Sequence, residues 1–152
     1  MKHSILKKIV VICIIAAMAL GVNQAAVIAA TAPTETITYE VYDTTSGTFA
    51  GLTASGVLFT DALDSTATTS FTPTGGYIAV EAYIYYWYGG VYYTTTSGVH
   101  SATNGGVTAT ATKYWGDASV VAGRSKHTVR WTNYSWNDEI ILGNVPTSYT
   151  WK

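Results

Sequence analysis

The 152-residue chain has one cysteine, Cys13, and none after it. A disulfide scaffold and a cysteine-ligated metal centre are thereby excluded from everything downstream. Small residues of the kind that precede a lipid-attachment cysteine do not stand before Cys13, so no lipid anchor is expected. No apolar run reaches the roughly twenty residues of a spanning helix; the longest, residues 9–20, is about twelve. Leucine, glutamate and lysine are scarce after residue 30, whereas threonine, tyrosine, valine and glycine abound, which points to strands rather than helices.

The first thirty residues have the three parts of a secretory signal peptide. Lys7 and Lys8 supply positive charge, residues 9–20 an apolar stretch, and residues 25–30 the small side chains that a signal peptidase accepts. The expected organisation is a helical signal peptide over 1–30, cleaved between Ala30 and Thr31, and one domain over 31–152. The product is expected to be secreted and extracellular, without a stable transmembrane anchor. Its 122 residues are enough for a domain that buries roughly two thirds of its unfolded surface. Five bases against nine acids give this part a formal charge of −4, which argues against nucleic acid as a partner. The charge is uneven: six acids from Glu35 to Glu81 precede the first base, Lys113, and then Lys113, Arg124, Lys126 and Arg130 fall close together.

Alternation predicts an all-β fold, an antiparallel β-sandwich of two packed sheets with about 8 to 10 strands. Residues 36–42 alternate Ile37, Tyr39 and Val41 with polar neighbours. Residues 43–47 read as a turn, 48–52 and 56–60 as short apolar pieces, 61–69 as a loop, and 70–72 as a short strand. The longest strand is 77–88, closed by a Gly89-Gly90 hairpin loop. A second hairpin is expected around Asn104, Gly105 and Gly106, with a parity that turns His100 inward. A short strand follows at 119–122 and, after a break at Gly123, a longer one at 125–133. Residues 135–143 suit either a helix opening at Ser135 or a buried strand through Ile140, Ile141 and Leu142, and 148–151 suits a last edge strand.

The run from Tyr83 to Tyr93 carries seven aromatic residues in eleven around the glycine pair. Parity sorts it into an inward set, Ile84, Tyr86, Tyr88 and Tyr93, and an outward set, Tyr83, Tyr85, Trp87 and Tyr92. The outward set is the candidate ligand-binding face, because Tyr and Trp join an apolar body to a polar tip and suit glycans, protein surfaces or a membrane interface. A loop or the second sheet covering these rings would instead make them core. Arg124, Lys126 and Arg130 share the outer face of their strand. They are a candidate site for anionic cell-wall polymers or headgroups, or simply charges that keep an edge soluble.

Catalysis is not expected. His100 and His127 stand 27 positions apart without metal-ligand spacing around them, no G-x-S-x-G elbow supports a serine nucleophile, and no carboxylate pair is marked. No cofactor and no metal are therefore expected. The role that fits is non-catalytic binding of a glycan, a cell-wall polymer or an envelope surface, with homo-oligomerisation or self-assembly through Thr- and Tyr-rich strand edges as another outcome.

Trp87 with Gly89, the run His100-Ser101-Ala102-Thr103, the Ala122-Gly123 pair and the terminal aromatics Tyr149 and Trp151 resemble the lactococcin-type bacteriocins, which are secreted through signal peptides and fold as small β-sandwiches. The likeness covers about a third of the chain, and residues 31–76 have no counterpart. It implies an antibacterial protein acting at the envelope of related cells, with cell-wall precursor as target and His100 as the position to test first.

Overall fold

The computed structural model describes residues 31–145. The signal peptide with Cys13, and the edge strand expected over 148–151, lie outside the described residues. Those described contain no helix, and hence none long and apolar enough to cross a membrane. Nine strands form two antiparallel sheets. The first sheet has the order β1-β2-β3-β7, from β1 (Val41–Phe49), β2 (Leu52–Thr60), β3 (Asp64–Phe71) and β7 (Gly105–Thr112). The second has the order β5-β4-β8-β9, from β5 (Val91–Thr96), β4 (Tyr77–Tyr88), β8 (Ser119–Trp131) and β9 (Tyr134–Gly143), with short β6 (His100–Ala102) also on β4.

Between the sheets lies one apolar layer. Leu58, Ala67, Ala109 and Ala111 of the first sheet meet Val80, Ala82, Ile84, Tyr86 and Val120 of the second. A second cluster, Ala54, Phe71, Ile78 and Val129, extends it toward the far end. The period of two in β4 is as expected: Ile78, Val80, Ala82 and Ile84 point into this layer. Gly89 and Gly90, with φ of 57° and 86°, make the two-residue loop, and Trp87 pairs with Tyr92 and Tyr85 with Thr94.

Elsewhere polar composition hid strands. Residues 43–47 are not a turn but the middle of β1, an edge strand whose Thr44 and Thr48 stand in water. The reversal comes at Ala50 and Gly51, both at positive φ. Accordingly β2 is one strand rather than two pieces. Residues 36–40 are not a strand: Ile37 keeps a ladder-like bond, its N–H to the Val120 carbonyl at 2.8 Å, but Tyr39 is exposed. The loop after β2 is only three residues long, because the Asp61 carboxylate accepts from the Leu63 and Asp64 amides at 2.6 and 2.9 Å and folds the chain straight into β3. β3 buries Ser65, Ala67 and Thr69, side chains too small and too polar to read as a buried face. Asn104-Gly105 does not close a hairpin: β6 pairs with β4, β7 pairs with β3, and the chain crosses between sheets there. Residues 135–143 are strand.

The expected break at Gly123 is instead a bulge two residues earlier. Tyr85 pairs with Ala122 and Tyr86 with Val120, which leaves Val121 without a partner on β4. Val121 and Ala122 consequently both contribute to the outer side, and β8 is continuous.

Close approach of the sheets is made by glycine opposite bulk. A Cβ on Gly56 would fall 2.7 Å from the His127 ring, and one on Gly47 would strike Trp136. A Cβ on Gly123 would strike Thr60 Oγ1 and stand 2.7 Å from Ser65 Oγ. Overfilling a packed interior typically costs 1–3 kcal/mol. Gly123→Ala is therefore expected to lower unfolding free energy by about 2 kcal/mol, while Gly116→Ala, where nothing lies within 4 Å of the added carbon, stays near wild type; urea denaturation of the two variants measures both.

Candidate functional site

The outer face of the second sheet carries both groups of residues singled out in the sequence. Register sets them against each other: Tyr83 of β4 is opposite Arg124 of β8, Glu81 opposite Lys126, and Tyr77 opposite Arg130. Tyr83 is thereby flanked by two cations, the Lys126 ammonium 5.1 Å and the Arg124 guanidinium 5.6 Å from its ring centroid. Arg130 does not join them. It lies over Tyr77 at 5.7 Å, six residues before Tyr83 on β4 and about 20 Å from it at strand rise.

Carboxylates complete the face. Arg124 donates to Glu139 of β9 at 2.5 Å, which raises its already high pKa further against a lesser opposing effect of burial. A hydrogen bond with the Tyr83 phenol holds the Lys126 ammonium above its ordinary value. Burial, followed by the hydrogen bond with Glu81, holds the Tyr83 hydroxyl protonated well past neutral pH. The face thus keeps fixed charges across the physiological range. The Arg124 Nε is buried and has no hydrogen-bond partner among the described residues, so one donor of the fork remains unused.

The four outward aromatics are not equivalent. Tyr85 is 3% exposed and sits with Val121 and Ala122 in a small apolar cluster that the bulge in β8 creates. Tyr83, Trp87 and Tyr92 pack around that cluster half-buried, as does Val145. Trp87 and Tyr92 meet edge to face at 4.7 Å, and the Tyr92 hydroxyl donates to the Thr31 carbonyl at 3.2 Å. Tyr85 is therefore a floor, with Tyr83, Trp87 and Tyr92 as the accessible rim and Thr31 and Val145 beside it. The inward set packs as expected, and Trp115 joins it, stacked on Tyr88 at 4.7 Å.

Sequence reasoning missed the counter-charges Glu81 and Glu139 and the partner ring Tyr77. Their roles follow from the register of β8 with β4, a strand that ends 31 positions before β8 begins, and with β9, which follows β8 after a tight turn.

Of the two histidines, His127 is turned inward and His100 is not. His100 is exposed, with Nδ1 3.1 Å from the Thr108 carbonyl on the edge of β7. The hairpin that would have turned it into the core does not form. His127 is buried, with Nδ1 2.8 Å from Thr69 Oγ1 and Nε2 2.7 Å from Ser125 Oγ. Thr69 gives its hydroxyl hydrogen to the Ala79 carbonyl at 3.1 Å, so it accepts from His127 Nδ1–H, and Ser125 donates to Nε2. The imidazole is thus neutral and of one tautomer. Ser125 and His127 have the contact of a nucleophile and base, but Ser125 is fully buried and the third partner is a hydroxyl rather than a carboxylate, so no substrate reaches them. Among the described residues no cluster of three or more His, Asp or Glu is placed to hold a metal ion.

No protein-family model and no curated protein matches this chain in sequence.

Burial pushes the His127 imidazole down to about 4. A histidine whose folded value lies below its unfolded value of about 6.5 gives stability that is complete above the unfolded value and lost as pH falls toward the folded one. Unfolding free energy is expected to drop by about 2.5 kcal/mol between pH 7.5 and 4.5. His127→Gln, although less stable at pH 7.5, should lose most of that slope. Asp138, held below the usual carboxylate range by the Thr45 hydroxyl and the Glu139 amide, acts only at lower pH. Denaturant titrations across this window check both chains.

Proposed function

We propose that the chain is a secreted, non-catalytic binding protein, a β-sandwich released from its signal peptide, that engages an anionic cell-wall polymer or envelope surface through the outer face of its second sheet. The observation that carries this reading is the placement of Tyr83 between Lys126 and Arg124, with Trp87 and Tyr92 on the adjoining rim. Aromatic rings beside cations suit a ligand that alternates sugar or acyl surface with phosphate or carboxylate. Apolar faces stack, and anionic groups meet the ammonium. Glu139 tethers Arg124, so Lys126 is the charge most available to a ligand. Ser125 and His127 support no enzymatic reading, since they are closed off from solvent.

Retention of the purified protein on teichoic-acid-bearing cell walls tests the proposal. Lys126→Ala should weaken binding about five- to tenfold, the worth of one charge-assisted contact to an anionic group, and should reduce the salt dependence. Its melting temperature should hold, because Lys126 is exposed. Binding that is unchanged in Lys126→Ala and in Trp87→Ala would remove this face from consideration. Clearing of a lawn of related bacteria, independent of Lys126, would favour the bacteriocin-like activity that the sequence resemblance implies.

A further inference from the structure

The outer face of the first sheet is built unlike the second. Of sixteen outward positions on β1, β2, β3 and β7, eleven are Ser or Thr: three on β1, two on β2, three on β3 and three on β7. No lysine or arginine occurs on any of these strands. One row across the sheet runs Tyr42, Phe59, Thr66, Thr110, and the next runs Thr44, Val57, Thr68, Thr108.

Together the rows offer two things. Tyr42 and Phe59, 67% and 37% exposed, lie side by side with centroids 5.6 Å apart and planes 33° apart, which makes a small open platform. Beside them the threonines bond in cross-strand pairs, Thr66 with Thr110 at 2.9 Å and Thr68 with Thr108 at 2.8 Å. A pair of hydroxyls shares one hydrogen, so each pair keeps a second hydrogen and several lone pairs pointing to solvent. A shallow groove of about 470 Å³ passes over Thr44, Ser55 and Thr68. A second, of about 230 Å³, adjoins Phe59 and Thr66 and is flanked by Glu40, Asp61 and Asp64.

We propose that this face binds a neutral polysaccharide, with pyranose rings lying on Tyr42 and Phe59 and their hydroxyls meeting Thr66, Thr68, Thr108 and Thr110. A sugar ring has apolar C–H faces and a hydroxyl rim, the complement of a ring platform bordered by fixed hydroxyls. Three carboxylates at the rim and no cation on the strands repel an anionic polymer. A protein partner is disfavoured because interface cores are depleted in serine and enriched in aromatics, methionine and arginine. A row of four strands spans about 14 Å, the reach of a short oligosaccharide segment.

Sedimentation of the purified protein with insoluble cellulose, chitin, β-1,3-glucan and mannan tests the proposal. At least one should retain it, and Tyr42→Ala with Phe59→Ala should weaken that retention tenfold or more at unchanged melting temperature. Thr68→Val with Thr108→Val, which preserves strand-forming shape, should weaken it about threefold and serves if the aromatic double variant does not fold. Lys126→Ala should leave it unchanged, which separates this face from the one on the second sheet. No retention on any of the four polymers, or equal retention by wild type and both double variants, overturns the proposal. So does a concentration-dependent dimer abolished by Tyr42→Ala with Phe59→Ala, since the occupant would then be a second copy.

Discussion

The two sheets meet where His127 lies against Gly56, and the rest of the packing depends on that fit. An imidazole is thick and polar, so the facing strand must give up a side chain to admit it, and both ring nitrogens must find partners away from water. Gly56 meets the first demand, and Thr69 and Ser125, one from each sheet, meet the second. An unpartnered nitrogen here would cost about 1–3 kcal/mol. The arrangement ties the layers together by directed bonds, in a domain whose described part has no disulfide and whose buried layer is rich in alanine. Trp136 over Gly47 and Thr60 against Gly123 repeat the same exchange of bulk for glycine.

Those contacts explain which parts of the fold were legible in the sequence. Strand β4 could be read almost residue for residue, because large apolar and aromatic side chains alternate along it and a glycine pair fixes its loop. The sorting of Tyr86 from Tyr85 followed from parity alone. Strands β1 and β3 were hidden, because their inward positions are Thr45, Gly47, Ser65 and Thr69, residues that carry turn and loop signals wherever tertiary packing does not override them. Asn104-Gly105, a strong hairpin signal, instead turns the chain from one sheet to the other. Local turn chemistry specifies a reversal but not the strand that receives it.

The candidate site was legible in its members and not in its arrangement. Tyr83 and the row Arg124, Lys126 and Arg130 were each visible as outward positions on their own strands. Their meeting depends on the pairing of β4 with β8, which joins residues about forty positions apart. The bulge at Val121 was equally out of reach, and it decides which rings are accessible by turning two apolar side chains outward under Tyr85. Tyr42 and Phe59 gave no signal at all, since one lay in a misplaced strand and the other in an apolar fragment.

Segregation of charge between the layers has a consequence at the scale of the whole molecule. Every lysine and arginine on a strand belongs to β8, where Glu81, Asp138 and Glu139 of the same sheet balance them, while the first sheet carries Asp43 and Asp64 with no base. The domain is therefore an electric dipole directed across its thickness. Near a negatively charged surface such a body experiences a torque before any contact forms, and it arrives with the second sheet facing the surface and the threonine-rich sheet facing away. Orientation on approach is then set by long-range field rather than by trial encounters, and it weakens as salt shortens the screening length.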